Sequence, residues 1–441
     1  MSDISLQWPE GGVTRAPYRA MSDPDLYRLE QERIFRGPTW NYLCLEAELP
    51  EHGSFVNTHI GDTPVIATRD RAGEIHAVVN RCSHKGSILC VEPRGNKKAL
   101  TCLYHAWSFD LSGNLVNVAF DKGVNGKGGM PESFRMCDHN LEKLRVAVFH
   151  GIVFATFSEK TEPIEQYLGP GMVAHLARVF AKPVEVLGYY HHTMQNNWKL
   201  YMENSRDPYH ATILHAFYAT FKLNRLTMDG GLTVEHRGWH TINFSKGATM
   251  REGEYEGSGM RGVMDDVTLA DRGVIASRQE FPDGITVAIQ SMFPSCVNQQ
   301  IYNTLAIRHL VPQGPNKCEL HWTVFGYKDD DPELRDMRLK PDLFVAPRVC
   351  VLTQPGTEKQ GSGACFLFGR LADARIGDDP HQRDQAINST GDHWLPAGRG
   401  DARDKATEAH RRQRQAAQQE PQRRAGQQGM RQRIAHQAHA P

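Results

Sequence analysis

Two short clips constrain this chain of 441 residues more than any other feature: Cys82-Ser83-His84 and Cys102-Leu103-Tyr104-His105, separated by residues 85–101. Each clip joins one thiol to one imidazole. Thiolate sulfur is a soft ligand that suits iron–sulfur clusters, and imidazole suits iron as well. A Cys-x-His clip paired with a Cys-x2-His clip is the ligand pattern of a [2Fe–2S] centre in which two His replace two Cys on one iron. That exchange raises the potential above that of an all-Cys plant-type cluster. A structural zinc ion also accepts Cys2His2. Zinc ribbons and fingers, however, pair Cys with Cys and His with His. Here each clip mixes the two, which favours the cluster.

Composition narrows the setting. Lys+Arg and Asp+Glu both number 51, which argues against nucleic acid or an anionic membrane as the main partner. The stretch Met1-Ser2-Asp3-Ile4-Ser5-Leu6 lacks the basic-then-apolar pattern of a secretory signal. No run approaches the roughly 18 apolar residues that span a bilayer. The expected location is the cytosol. Nine Cys is an odd count, and a disulfide framework is not expected there. Only Cys82 and Cys102 lie in His-containing clips. Cys44, Cys90, Cys137, Cys296, Cys318, Cys350 and Cys365 read as ordinary core or surface residues.

Along the chain, a loop through Gly11-Gly12 precedes a helix from Asp23-Pro24 to Ile34, with Asp as cap and Pro in the first turn. Residues 38–157 read as short strands and turns. Pro64–Thr68 and Ile75–Val79 form a hairpin, Ser112-Gly113-Asn114 is a turn, and Val146 to Phe157 is a strand pair. This is a small antiparallel β domain carrying both clips on loop tips, with Trp107 packed beneath the second. Residues 158–186 form a connector with a helical pattern through Leu168, Met172, Leu176 and Phe180. A larger domain follows over 187–346. Its first strand is Val184 to His192, and a helical stretch runs from about Trp198 to Phe221. The alternating segments Gly238–Phe244, Thr286–Phe293, Gln300–Val311 and Glu319–Tyr327 come next. The pattern is α+β, an antiparallel sheet wrapped around a long helix. Near residue 348 the apolar recurrence stops. Residues 401–441 contain no Leu, Val, Phe, Tyr or Trp, and such a tail is expected to be disordered.

The helical stretch carries a second group of metal-binding residue types, Asp207-Pro208-Tyr209-His210, continuing to His215. Asp207-Pro208 reads as a helix start, and Asp207 and His210 share a face. His210 and His215 are five apart, roughly 140° around an ideal helix. Both reach one ion only if the helix is distorted or ends there. Two neutral His and a carboxylate make the facial triad of non-haem Fe(II) oxygenases. Alone, such a pair reads as ordinary helix histidines; downstream of a one-electron centre, it reads as iron.

With Lys85-Gly86 after the first clip and Ala106-Trp107 after the second, the clips resemble the Rieske domain of ring-hydroxylating oxygenase α subunits. That family usually has Arg where Lys85 stands and often Pro where Leu103 stands; neither is a ligand position. Residues 197–215 resemble the family's catalytic helix. The resemblance implies that Cys82, His84, Cys102 and His105 hold the cluster, and that His210 and His215 bind a mononuclear non-haem Fe(II). It also implies that Asp207 bridges to a Rieske His of a neighbouring subunit, at the position of His105, and that Asn204 lies near the iron. Ser291–Ser295 and Asn303–Arg308 resemble the sheet that lines the substrate pocket. The resemblance covers about residues 30–345, and the Asn303 and Gly326-Tyr327 stretches are most like salicylate hydroxylase and anthranilate dioxygenase large subunits. It divides the chain into an N-terminal helical segment (1–37), a Rieske domain (38–157), the connector (158–186), a catalytic iron domain (187–346) and an aberrant tail (347–441).

Its functional implication is the catalytic subunit of a multicomponent oxygenase of aromatic catabolism. That enzyme uses O2 and NADH-derived electrons to hydroxylate or dihydroxylate an aromatic ring, most naturally an aromatic acid. A ferredoxin, an NADH-dependent reductase or both supply the electrons, because no Gly-x-Gly-x-x-Gly fingerprint is present. A homotrimer or an α3β3 assembly with a small β subunit is implied. Two rivals stand beside it: a Rieske monooxygenase or demethylase, and an electron-transfer protein with an inactive mononuclear site. Arg308 reads either as an anchor for a substrate carboxylate or as half of a sheet salt bridge. The chain departs from the family where the third iron ligand belongs. Gln354-Pro355-Gly356 offers no carboxylate; Glu358 is the closest acid, with Asp373, Asp378 and Asp379 beyond. Lost resemblance, lost apolar periodicity and an Arg/Gln-rich tail coincide, as a frame shift near residues 341–350 would produce. A real tail implies that the cluster assembles while mononuclear iron binds poorly.

Overall fold

The computed structural model describes residues 16–210, 215, 221, 223, 228–235, 237–247, 272–344 and 395–396. The expected N-terminal loop, the disordered tail, the frame shift beyond residue 344 and the acids Glu358, Asp373, Asp378 and Asp379 lie outside the described residues. Met1–Leu395 forms one compact unit and Pro396–Pro441 a second. Every element discussed below belongs to the first. No helix among the described residues is long and apolar enough to cross a membrane.

The Asp-Pro signal places the first helix, α1 (Pro24–Glu30). Asp23 Oδ1 accepts from the N–H groups of Asp25 (2.8 Å) and Leu26 (3.1 Å), two of the donors a helix start leaves free. One π turn, Gln31–Phe35, continues it. The strands of the first sheet follow: β1 (Asn41–Leu45), β2 (Ser54–Ile60), β3 (Thr63–Arg69), β4 (Ile75–Val79) and β5 (Arg94–Asn96). Strands β6 (Leu100–Thr101), β7 (Ser108–Phe109) and β8 (Leu115–Asn117) make a small separate sheet. Strands β9 (Lys143–Phe149) and β10 (Ile152–Thr156) return to the first, whose order is β1-β10-β9-β4-β3-β2-β5. The expected β3–β4 hairpin is present, with Val65 opposite Val79. Asp70 Oδ1 closes its turn by accepting from the Ala72 and Glu74 N–H groups, both at 2.9 Å.

The connector helix is broken in two, α2 (Ile164–Leu168) and α3 (Pro170–Val179). Gly169 makes the break with φ +79°, a conformation L side chains resist. The second sheet contains β11 (Val184–Met194), β12 (Gly230–Val234), β13 (Thr241–Lys246), β14 (Ile285–Met292), β15 (Cys296–Ile301), β16 (Thr304–Pro312) and β17 (Cys318–Tyr327). These neighbours run β12-β13-β14-β15-β16-β17-β11. The single strand expected over Gln300–Val311 is really a hairpin edge, turning at Tyr302-Asn303 between β15 and β16. Helix α4 (Trp198–Arg206) buries Trp198, Tyr201, Met202 and Ser205, one face at helical spacing, towards β13, β14 and β16. It ends at Arg206, and most of the helical stretch expected from there to Phe221 lies outside the described residues. Asp207 leaves the helix with φ −87° and ψ 108°.

One apolar core joins both sheets: Val56, Val65 and Val79 share it with Trp198, Ala306 and Trp322. Glu30 of α1 is buried there and accepts from Trp198 Nε1 (2.9 Å) and Lys199 Nζ (2.6 Å), tying the N-terminal helix to α4.

A row of imidazoles crosses the second sheet, with His321 opposite both His309 and His191. His309 is buried against the Tyr42 ring, 5.5 Å away, and its pKa is pushed down to about 3 by burial, with His321 and His59 adding to the effect. It is neutral in the fold but binds a proton near 6.5 when exposed. The unfolded chain therefore holds more protons below that pH. The contribution of His309 is full above about pH 6.5 and declines as pH falls towards 3. Glu319, held to about 2 by its hydrogen bond from His321, acts in the same direction below about pH 4.5. Thermal melts from pH 7 to pH 4 should show a falling midpoint, and His309→Gln should make that slope shallower.

Candidate metal centres

The two clips adopt one backbone form. Cys82 N–H donates to the Ser87 carbonyl (2.8 Å), and Gly86 N–H returns to the Cys82 carbonyl (2.8 Å). Cys102 N–H donates to the Trp107 carbonyl (2.8 Å), and Ala106 N–H returns to the Cys102 carbonyl (3.0 Å). Each loop closes through a residue at positive φ, Gly86 at +72° and Ala106 at +54°. Ala106 holds a left-handed conformation that side chains normally avoid, a local cost kept where the surroundings demand it.

This form points the thiols inward and the imidazoles outward. Cys82 and Cys102 are buried on an apolar floor of Phe55, Val78, Leu100 and Phe109. His84 is half-buried and His105 exposed. Burial raises the Cys82 pKa, opposed by the N–H groups of His84 and Lys85. Burial acts on Cys102 too, but the N–H groups of Tyr104 and His105, Cys82 and the Ser87 hydroxyl together hold it below the usual thiol value. These are donors arranged around a thiolate. Burial, then the charges of His105, Lys85 and His139, push the His84 pKa down, keeping the ring neutral as a ligand must be. Its Nδ1 is buried without a hydrogen-bond partner.

The His84 and His105 rings stand 4.7 Å apart. Trp107 lies flat on His84, centroids 4.7 Å and planes 10° apart. It thus braces the first clip from the second, while sharing the apolar floor under Cys102. The donors come as a thiol pair and an imidazole pair. No three His, Cys, Asp or Glu side chains converge on one ion position among the described residues. That arrangement fits two irons with two protein ligands each.

The second centre begins where α4 stops. Asn243 Nδ2 donates to the Ser205 carbonyl (3.0 Å) and Ser205 Oγ bonds Ser291 Oγ (2.8 Å), so the sheet pins the helix end. Asp207 then caps the next turn, its Oδ1 accepting from Tyr209 N–H at 2.7 Å. The Asp-Pro signal is therefore real, but it starts a new turn after a break. The turn folds His210 back, with Nε2 3.1 Å from Asn204 Nδ2 and Nδ1 3.4 Å from Asp207 Oδ2. The His210 and His215 rings lie 5.1 Å apart. Residues 211–214, which join the two, lie outside the described residues. Burial, then His210 and Arg308, push the His215 pKa down to about 4, leaving it neutral. Among the described residues no third metal-binding side chain joins the two imidazoles. Glu358, the acid nearest the family's position, lies outside the described residues.

Arg308 stands on the sheet beside this pair. Its Nη1 donates to the Tyr201 hydroxyl (2.9 Å), and its guanidinium lies 4.5 Å from the Trp322 ring centroid.

Two family models match the chain: the Rieske [2Fe-2S] domain over residues 39–126, and the ring hydroxylating alpha subunit catalytic domain over residues 182–345. A terephthalate 1,2-dioxygenase terminal oxygenase component subunit alpha 2 from Comamonas sp is 43% identical over 359 residues, 81% of this chain and 86% of that one. The chain belongs to the Rieske ring-hydroxylating oxygenases, as a catalytic alpha subunit. An anthranilate 1,2-dioxygenase large subunit from Burkholderia cepacia is 43% identical, covering 78% of this chain and 81% of the relative. A salicylate 5-hydroxylase large oxygenase component from Ralstonia sp is 35% identical, covering 88% and 95%. The expected likeness to salicylate and anthranilate enzymes is thus borne out. A Rieske oxygenase of this kind is an oxidoreductase with a [2Fe–2S] cluster and a mononuclear non-haem iron, and its relatives are oxygenase components of multicomponent systems.

Proposed function

We propose that this oxygenase hydroxylates an aromatic carboxylic acid, with Arg308 as the anchor for the acid group. The position of Arg308 carries the reading: its charge acts on His215, and Tyr201 and Trp322 fix its guanidinium plane. A planar guanidinium pairs with a carboxylate through two parallel hydrogen bonds. An acid held there lays its ring beside the His210–His215 pair, while Trp322 adds an aromatic wall. When bound, the cluster supplies single electrons and the mononuclear iron activates O2. The chain's own residues hold these centres: Cys82, Cys102, His84 and His105 in the domain 38–157, and His210 and His215 in the domain 187–346. Asn204 orients His210.

The electrons come from a separate NADH-dependent reductase, directly or through a ferredoxin, in the cytoplasm. The protein assembles as a homotrimer or as α3β3 with a small β subunit. Asp207 bridges to the neighbouring copy at its His105; the 47% exposure of its side chain and its 3.4 Å approach to His210 support that role.

Arg308→Gln tests the anchor. A charged hydrogen-bonded pair is worth about 1.5–3 kcal/mol, so kcat/KM for an aromatic acid should fall roughly 10- to 100-fold. The matching primary amide should change little. Equal losses for acid and amide would assign Arg308 to the sheet alone. Salicylate, anthranilate and terephthalate are the first acids to assay, and labelled O2 separates incorporation of one atom from two.

A further inference from the structure

We propose that Asn80 is a positioning residue for the cluster, its side chain replacing a missing strand pair to lock the loop that carries Cys82 and His84. The inference rests on the ligand assignment above. Shifting the first clip by twenty residues superposes its hydrogen bonds on the second: Cys82 and Ser87 match Cys102 and Trp107, and Gly86 matches Ala106. One step outward the match ends. The second loop is closed by backbone pairing of Thr101 with Ser108 and of Leu100 with Phe109. At the equivalent first-clip positions, β4 has ended at Val79, and no strand returns at Ile88-Leu89.

The Asn80 side chain fills that role. Its Oδ1 accepts from Leu89 N–H and Cys90 N–H, both at 3.0 Å. Its Nδ2 donates to the Cys90 carbonyl (2.7 Å) and to Asn57 Oδ1 (3.0 Å). Asn57 Nδ2 donates to the same carbonyl at 2.9 Å. Asn80 is 1% exposed, and both lone pairs and both amide hydrogens are used. At the equivalent second-clip position stands Leu100, which needs no polar partner because backbone pairing does the work there. The clamp spans residues 81–88, so it sets where Cys82 meets Cys102 and where His84 meets Trp107.

The test uses the full-length holoprotein and the variants Asn80→Ala and Asn80→Asp. In Asn80→Ala, hydrogen exchange at Leu89 and Cys90 should quicken roughly tenfold, the scale of one buried hydrogen bond. Exchange at Phe109 should not change. Chelator-driven bleaching of the visible cluster absorbance should be several-fold faster, and the reduction potential should shift. Asn80→Asp keeps one acceptor but sets its second oxygen against the Cys90 carbonyl and Asn57 Oδ1, and should change exchange and bleaching at least as much. If Asn80→Ala does not accumulate, Asn57→Ala removes part of the same clamp and should show a smaller change of the same kind. Unchanged exchange at Leu89 and Cys90 overturns the proposal. So does a lower melting temperature with unchanged bleaching and potential, which would make Asn80 a residue of the fold only. A Cys82→Ser protein with its full cluster would instead overturn the ligand assignment.

Discussion

His210→Ala is expected to lower product formation by roughly 100-fold or more, since losing even an outer partner of a metal ligand costs 10- to 100-fold. The visible absorbance of the cluster should be unaffected. The two centres use different parts of the chain, loops on the first sheet for one and the end of α4 for the other. His210 is one of two imidazoles 5.1 Å apart, and Ala leaves His215 alone beside Arg308. One iron per chain should disappear while labile sulfide stays constant. Unchanged activity would exclude catalysis at this pair and favour the electron-transfer reading.

Cys102→Ser has the complementary effect. It should abolish the visible cluster spectrum and NADH-driven turnover, and leave iron at the His210 pair. Four donors surround the Cys102 sulfur and hold its pKa down against burial. A serine hydroxyl is a harder ligand and titrates far higher, so it leaves one iron short of a thiolate. Cys90 supplies a control. It is also buried, but burial and Glu92 push its pKa up to about 11, and no His clip surrounds it. Cys90→Ser should keep the cluster.

The candidate ligands are legible in the sequence because metal ligation would fix residue type and local spacing at once. The α1 start was legible for a similar reason: Asp23 and Pro24 act within one turn. Other features depend on contacts distant in sequence and left no signal. Strand β15 leaves no alternating signal because Asn298, Gln299 and Gln300 interrupt the apolar pattern, although the strand is buried. Its turn into β16 uses Tyr302 at φ +54°, with no Gly or Pro to mark it. The end of α4 is set by Asn243 and Ser291, far along the chain. Trp107 stacks on His84 of the other clip through packing that its spacing from Cys102 does not encode. Asn80 is an ordinary strand-end residue until Leu89 and Cys90 fold onto it.

Single-turnover product analysis is the most direct test of the central claim, that cluster and mononuclear iron act together on an aromatic acid. The protein is reduced without NADH or partner proteins, mixed with the acid and exposed to 18O2. The account predicts cluster oxidation together with a hydroxylated or dihydroxylated acid carrying oxygen from O2, and neither product nor label in His210→Ala. Cluster oxidation with no labelled product from the wild-type chain, across salicylate, anthranilate and terephthalate, would contradict it.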